Sequence, residues 1–275
     1  YTTLFRSPAF ADTNFDPIKV AVDNAGNMYV IGEGVYNGII QLARTGEFLG
    51  YFAVNTTRIS FSQMLQKILF TRAQLENLTM TVPTTFSNIF VDDAGIVYST
   101  SMSEGKFPLK KHNTSGGNMF MNGIVGWNDM TDVFVDKNGI IYVACQRGYI
   151  EIYSKDGEFI FEFGSEVKGP DIAGLFTSLP TVAVDSNGYI WAADGDKGYL
   201  QSFKPTDYAN MIYSAMGLYE SGLYEESLSA WNSVLRLNQM SVLAHNGVGK
   251  ALFHAQRYEE SLEHFGVAEN RSYFS

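Results

Sequence analysis

Cysteine is almost missing from this chain of 275 residues: Cys145 stands alone, which excludes an intramolecular disulfide and leaves the compartment open. Long apolar runs are missing as well, since no stretch of about 18 residues could cross a bilayer as a helix. No secretory leader is visible, and the chain begins at Tyr1. Positive charge is scarce, with 19 Lys and Arg against 29 Asp and Glu, a formal net charge of −10. A phosphate backbone needs a cationic footprint. The one basic cluster, Lys106, Lys110, Lys111 and His112, is too short to supply it, so nucleic acid is excluded as a partner. Histidine numbers only four. His112 stands apart from His245, His254 and His264, whereas zinc needs three or four converging ligands. There is no Gly-x-Ser-x-Gly elbow, phosphate-binding glycine loop or Cys-His pairing.

What is present is repetition. Val22-Asp23-Asn24-Ala25-Gly26-Asn27-Met28-Tyr29-Val30 recurs around Asp92, Asp136 and Asp185, each with glycine three residues on, at Gly95, Gly139 and Gly188. The aspartate can bond the backbone ahead of it and glycine accepts positive φ, so each string reads as a tight turn between two strands. A second hairpin follows, clearest at Gly38 to Phe52 and at Tyr149 to Phe163. Four strands per unit, repeated, is the pattern of a β-propeller blade. The gap between the first two aspartates is longer than a blade needs. Ser60 with Gln63 and Thr71 with Gln74 fit capping boxes, and Phe61, Met64, Leu65, Ile68 and Leu69 fall at helical spacing. A helical insertion is therefore expected at about 59–79.

After Lys204-Pro205-Thr206 the period changes from two to 3.6, and 207–271 reads as four helices. Tyr-Glu-Glu-Ser-Leu at 224–228 returns at 258–262, with Trp231 and Phe265 at the same offset, a repeat of 34 residues. Gly222 sits at the turn of the first helical hairpin, where the second has Gln256.

The blade strings resemble NHL-repeat propellers, and the 34-residue repeat resembles tetratricopeptide (TPR) hairpins. The whole order resembles a Gram-positive bacterial extracytoplasmic family in which an NHL propeller leads into TPR hairpins and then a membrane segment. The resemblance implies an all-β propeller over 1–204 with four recognisable blades, followed by a small all-α TPR domain over 205–275. It also implies blades upstream of Tyr1, an extracytoplasmic location, and attachment to the cell membrane only through segments outside this chain. The fourth unit lacks an outermost strand, so an open arc is expected. Its uncovered faces, beside 17–22 and 198–203, would carry Val20, Val22, Tyr199, Leu200 and Phe203, and association of the chain would follow.

Three functions fit this sequence. The leading one is a non-catalytic binding and scaffolding module for a protein or peptide, with no cofactor and no metal. TPR hairpins take peptides in the groove lined by the first helix of each pair. The groove candidates by phase are Asn210, Tyr213, Tyr219, His245, Asn246 and Lys250. The second is a propeller enzyme of the lactonase or lyase type, which would need metal-binding carboxylates on the propeller axis. Asp23, Asp92, Asp136 and Asp185 are the candidates by residue type, with Asp194-Gly195-Asp196 as a small acidic loop, but a turn already gives each repeat aspartate sufficient work. The third is a structural spacer for a membrane-bound partner. Cys145 reads as a small core residue.

Overall fold

In a computed structural model the described residues are 16–33, 35, 37–53, 85–102, 107–120, 124 and 126–268. The expected helical insertion at 59–79 lies outside them. Fourteen strands in the described residues form four antiparallel sheets, each in simple chain order. Sheet one is β1 (Asp16–Val22), β2 (Met28–Glu33), β3 (Ile39–Leu42) and β4 (Phe48–Phe52). Sheet two is β5 (Phe86–Val91), β6 (Val97–Ser101) and β7 (Leu109–His112). Sheet three is β8 (Met130–Val135), β9 (Ile141–Cys145), β10 (Tyr149–Tyr153) and β11 (Phe159–Gly164). Sheet four is β12 (Thr181–Val184), β13 (Ile190–Asp194) and β14 (Tyr199–Phe203), after which the chain turns helical. The sheets stack face to face in sequence, β1 beside β5, β5 beside β8 and β8 beside β12. Such small stacked meanders fit propeller blades.

Side chains alternate across a strand, so each sheet has two faces. Counted from the repeat aspartate, positions −3, −1, +5 and +7 face the preceding sheet, and −2, +6 and +8 face the following one. The three apolar clusters follow this rule. Tyr29 and Ile31 of sheet one meet Ile89 and Val97 of sheet two. Tyr98 of sheet two meets Val133, Val135 and Ile141 of sheet three. Tyr142 and Ala144 of sheet three meet Val182, Ile190 and Ala192 of sheet four.

Four helices follow, α1 (Asp207–Glu220), α2 (Tyr224–Leu237), α3 (Val242–His254) and α4 (Tyr258–Val267), and the third cluster continues into the first three of them. Thr206 and Ser241 cap α1 and α3, their hydroxyls accepting from the amides of Ala209 and Ala244 at 3.2 Å. The repeated serine of Tyr-Glu-Glu-Ser-Leu is a crossing point. Ser227 donates to the carbonyl of Ala215 at 2.9 Å, and Ser261 to that of Gly249 at 2.8 Å. Gly222 turns the first hairpin at φ +76°, and Gln256 adopts the same left-handed conformation at +61°. The repeat thus keeps its turn geometry even where glycine is replaced.

Candidate functional site

The repeat aspartates are consumed by their own turns. One oxygen of each accepts two backbone amides, two and four residues ahead: Ala25 and Asn27 for Asp23, Ala94 and Ile96 for Asp92, Asn138 and Ile140 for Asp136, Asn187 and Tyr189 for Asp185. All eight bonds fall between 2.8 and 3.0 Å. Gly26, Gly95, Gly139 and Gly188 occupy φ near +80° in these turns. In three of them the other oxygen reaches six residues on, to the hydroxyls of Tyr29 and Tyr98 at 3.3 Å and to the Trp191 indole N–H at 3.1 Å, whereas that of Asp136 meets only the Asn138 side-chain amide at 3.5 Å. That indole bond leads the causes holding the Asp185 carboxyl below its usual range. Burial opposes ionisation of Asp23, yet its hydrogen bonds together still lower it. At Asp136 burial wins and raises the carboxyl.

The turns of sheets two, three and four surround an open cavity of about 810 Å³, floored by Phe90, Phe134 and Val184. Below it a polar belt runs across the innermost strands at position −4, occupied by Lys19, Asn88, Asp132 and Thr181. Asp132 is its hub. Its Oδ1 accepts from the Asn88 side-chain amide and from the amide of Val133. Its Oδ2 accepts from the Thr181 hydroxyl at 2.5 Å and from the amide of Val182 at 3.0 Å. Four donors surround the carboxylate and oppose the effect of burial, which still raises it above its ordinary range. The belt ties three sheets together. Sequence reasoning missed it because four different residue types share the position, and only the constant offset from the aspartate marks it.

No group of three or more His, Cys, Asp and Glu gathers for a metal among the described residues. Asp194, in the small acidic loop, accepts from the amides of Thr177, Asp196 and Lys197 and so closes that loop on itself. His112 is a core residue, its ring between the Ser99 hydroxyl at 2.7 Å and the Gly116 carbonyl at 3.0 Å. Burial pushes it down to about 4. Cys145 is fully buried, as expected, with its thiol 3.6 Å from Glu151 and raised by burial. Glu151 itself was not singled out from sequence. It is buried beside Cys145, accepts from the amide of Trp127 at 3.2 Å, and burial pushes it up to about 7. Trp127 covers it, stacked on Tyr149 and under the Arg147 guanidinium at 4.3 Å.

The helical groove candidates separate into two groups. Tyr213, Tyr219 and Lys250 face the chain's own β10–β11 hairpin. Tyr213 accepts from the Tyr142 hydroxyl and packs edge-on against Phe161, ring centroids 6.0 Å apart. Lys250 pairs with Glu158 at 2.7 Å, and Lys155 at the hairpin tip pairs with Glu220. Tyr219 lines the remaining gap of about 40 Å³, between Glu158 and Trp231. Asn210 and His245 lie elsewhere. Asn210 is exposed beside Asp207, Ser214 and Ser233, and His245 pairs with His264 at 2.9 Å. Three of the six groove candidates therefore lie against a hairpin of the third sheet. The hairpin suits that contact because Ser154 braces it, accepting from the amides of Asp156 and Glu158, and Gly157 turns it at φ +83°.

No helix among the described residues is long and apolar enough to cross a membrane. No protein-family model matches the chain, and no curated protein matches it. Among solved structures the chain is similar to a protein of unknown function from Bacteroides caccae, 13% identical over 71% of this chain and 59% of that one, TM-score 0.43. It is similar to streptogramin B lyase, 15% identical over 70% and 55%, TM-score 0.46. It is also similar to PorZ, an essential surface component of the type-IX secretion system of Porphyromonas gingivalis, 14% identical over 69% and 27%, TM-score 0.40. The chain thus spans less than two thirds of the length of each of these structures.

Proposed function

We propose that the chain is a non-catalytic binding and scaffolding module, NHL-type propeller blades joined to two TPR-type hairpins, that engages a protein or peptide partner outside the cytoplasm. The resemblance to a membrane-anchored propeller–TPR family supports that setting, with the anchor in segments outside this chain. The observation that carries the reading is the engagement of the belt and turn carboxylates by donors within the chain itself. Acid–base or metal chemistry needs a carboxylate oxygen free to reach a substrate or an ion. Here the belt carboxylate takes four donors, and every repeat aspartate holds its own turn. The partner surface that remains is the mouth formed by the turns, because the helical side carrying Tyr213 and Lys250 is engaged with the third sheet.

Two measurements test this. Millimolar Ca²⁺ or Zn²⁺ should leave the melting temperature unmoved, because only an ion that binds the native state selectively raises it. A photo-crosslinking residue placed at Asn187, on the rim of the mouth, should trap a partner protein in cells, and one placed at Arg236 on α2 should not. Stoichiometric stabilisation by either ion, with turnover of a lactone substrate, would replace this reading with an enzymatic one.

A further inference from the structure

Both helical hairpins pack an aromatic ring over a glycine of α3, Trp231 on Gly247 and Phe265 on Gly249, but only the first ring carries a polar atom. The Phe265 contact shows that the packing alone needs no N–H. Trp231 is 3% exposed, and its Nε1 has no hydrogen-bond partner among the described residues. Native proteins rarely leave a buried donor unmade, because its desolvation is then uncompensated. The nitrogen edge of the indole lies against Gly247, and both residues line the gap of about 40 Å³ between the helices and the third sheet. The surplus donor thus stands at the wall of a cavity and not in packed hydrocarbon.

The remaining walls of the gap are polar in part. They carry Glu158 from the β10–β11 turn and Glu220 from the end of α1. Each carboxylate holds one ammonium, Glu158 that of Lys250 at 2.7 Å and Glu220 that of Lys155. A carboxylate offers about four lone-pair sites, so each can take a further donor. The volume decides the occupant. A water's share of the liquid is about 30 Å³ and a buried water makes about three hydrogen bonds, so the gap suits one water and no organic ligand. We propose that this gap is a built water site, in which one water accepts from Trp231 Nε1 and donates to the carboxylates of Glu158 and Glu220. The bridge ties α1, α2 and the hairpin of sheet three at one point. Apolar packing has no preferred direction, whereas hydrogen bonds do, so the water fixes the angle at which helices and hairpin close. This inference rests on that contact and not on the binding role above, so the two can fail separately.

Nuclear magnetic resonance of the isotope-labelled 275-residue chain tests this. Only three tryptophans give indole N–H signals, and Trp231→Phe identifies the one that belongs to Trp231. In the parent, that proton should show a water cross-peak of opposite sign in laboratory-frame and rotating-frame Overhauser spectra, the mark of a held water and not of proton exchange. Trp231→Phe should keep the parent circular dichroism, since Phe265 fills the matching position, and should lose one long-lived water from the water relaxation dispersion. A folded variant that keeps every long-lived water would overturn the proposal, as would a Trp231 cross-peak that is missing or of exchange type. A crystal structure of the parent decides the matter without any variant, so failure of Trp231→Phe to fold leaves the test intact. Ordered water between Nε1 and the two carboxylates would establish the site, and a protein acceptor directly on Nε1 would remove it.

Discussion

Glu151 and His112 are buried ionisable groups of opposite kind, and their titrations oppose each other. Burial raises Glu151 from its ordinary 4.5 to about 7, so the folded chain takes up that proton before the unfolded chain does. Its ionisation therefore removes stability as the pH rises from about 4.5 to 7. Burial lowers His112 from 6.5 to about 4, so the unfolded chain takes up that proton first, and stability falls as the pH drops through this window. Each contribution is on the order of 3 kcal/mol. Asp132 and Asp136, also raised by burial, add to the Glu151 side. Denaturant melts of the parent should consequently vary less between about pH 5 and 6.5, where the opposing slopes overlap, than those of a variant lacking either group. Glu151→Gln should lose stability on acidification across that range, and His112→Asn should gain it. The readout is the slope, because either substitution also shifts the absolute value. Parallel slopes in all three proteins would mean that neither group is buried as described.

Helix packing is set by aromatic residues lying over glycine. Trp231 on α2 lies against Gly247 on α3, where an added Cβ would sit 2.2 Å from the indole. Phe265 on α4 lies against Gly249 in the same manner, at 2.6 Å. Trp231→Ala should cost roughly 3–5 kcal/mol through lost packing and the cavity left behind. Gly247→Ala should cost roughly 1–3 kcal/mol by overpacking, and iodide should quench Trp231 in neither the native nor the folded variant protein. At this scale much was legible. Turns that close within six residues, such as Asp92 to Tyr98, announce themselves, because donor, acceptor and glycine all lie in one short string. The 34-residue helical repeat is equally local, since Ser227 and Ser261 bond only the preceding helix. Glu151 was hidden for the opposite reason. A glutamate between Ile150 and Ile152 reads as the outward residue of a half-exposed strand, and only the sheet stacked behind it makes that side an interior. The clasp of Tyr213 and Lys250 on the third sheet joins residues about 50 to 90 positions apart, beyond any periodicity in the sequence.

At the scale of the molecule that clasp decides how the blades and helices unfold. The change of period at Thr206 suggests two domains that could melt apart. The apolar cluster instead runs without a break from Tyr142, Ile150 and Ile152 through Phe161 to Ile212, Trp231 and Val248. Two ion pairs, Lys250 with Glu158 and Lys155 with Glu220, sit over its edge. The pairs themselves contribute little, being partly solvated. The shared core contributes more, because separating the parts would expose aromatic and aliphatic surface on both sides at about 25 cal/mol per Å². Sheet three and the four helices should therefore unfold in one transition. Helical circular dichroism and the fluorescence of Trp127, beside sheet three, should trace coincident curves, the standard sign of two-state behaviour. Tyr213→Ala removes both the ring against Phe161 and the acceptor for Tyr142. It should split that transition, with the helical signal lost first and the Trp127 signal following. Lys250→Ala should leave it whole, because a half-solvated charge pair is not what joins the two parts. Separate transitions in the parent protein, or a splitting produced by Lys250→Ala alone, would show that the helices hang on the sheets by charge and not by a common core.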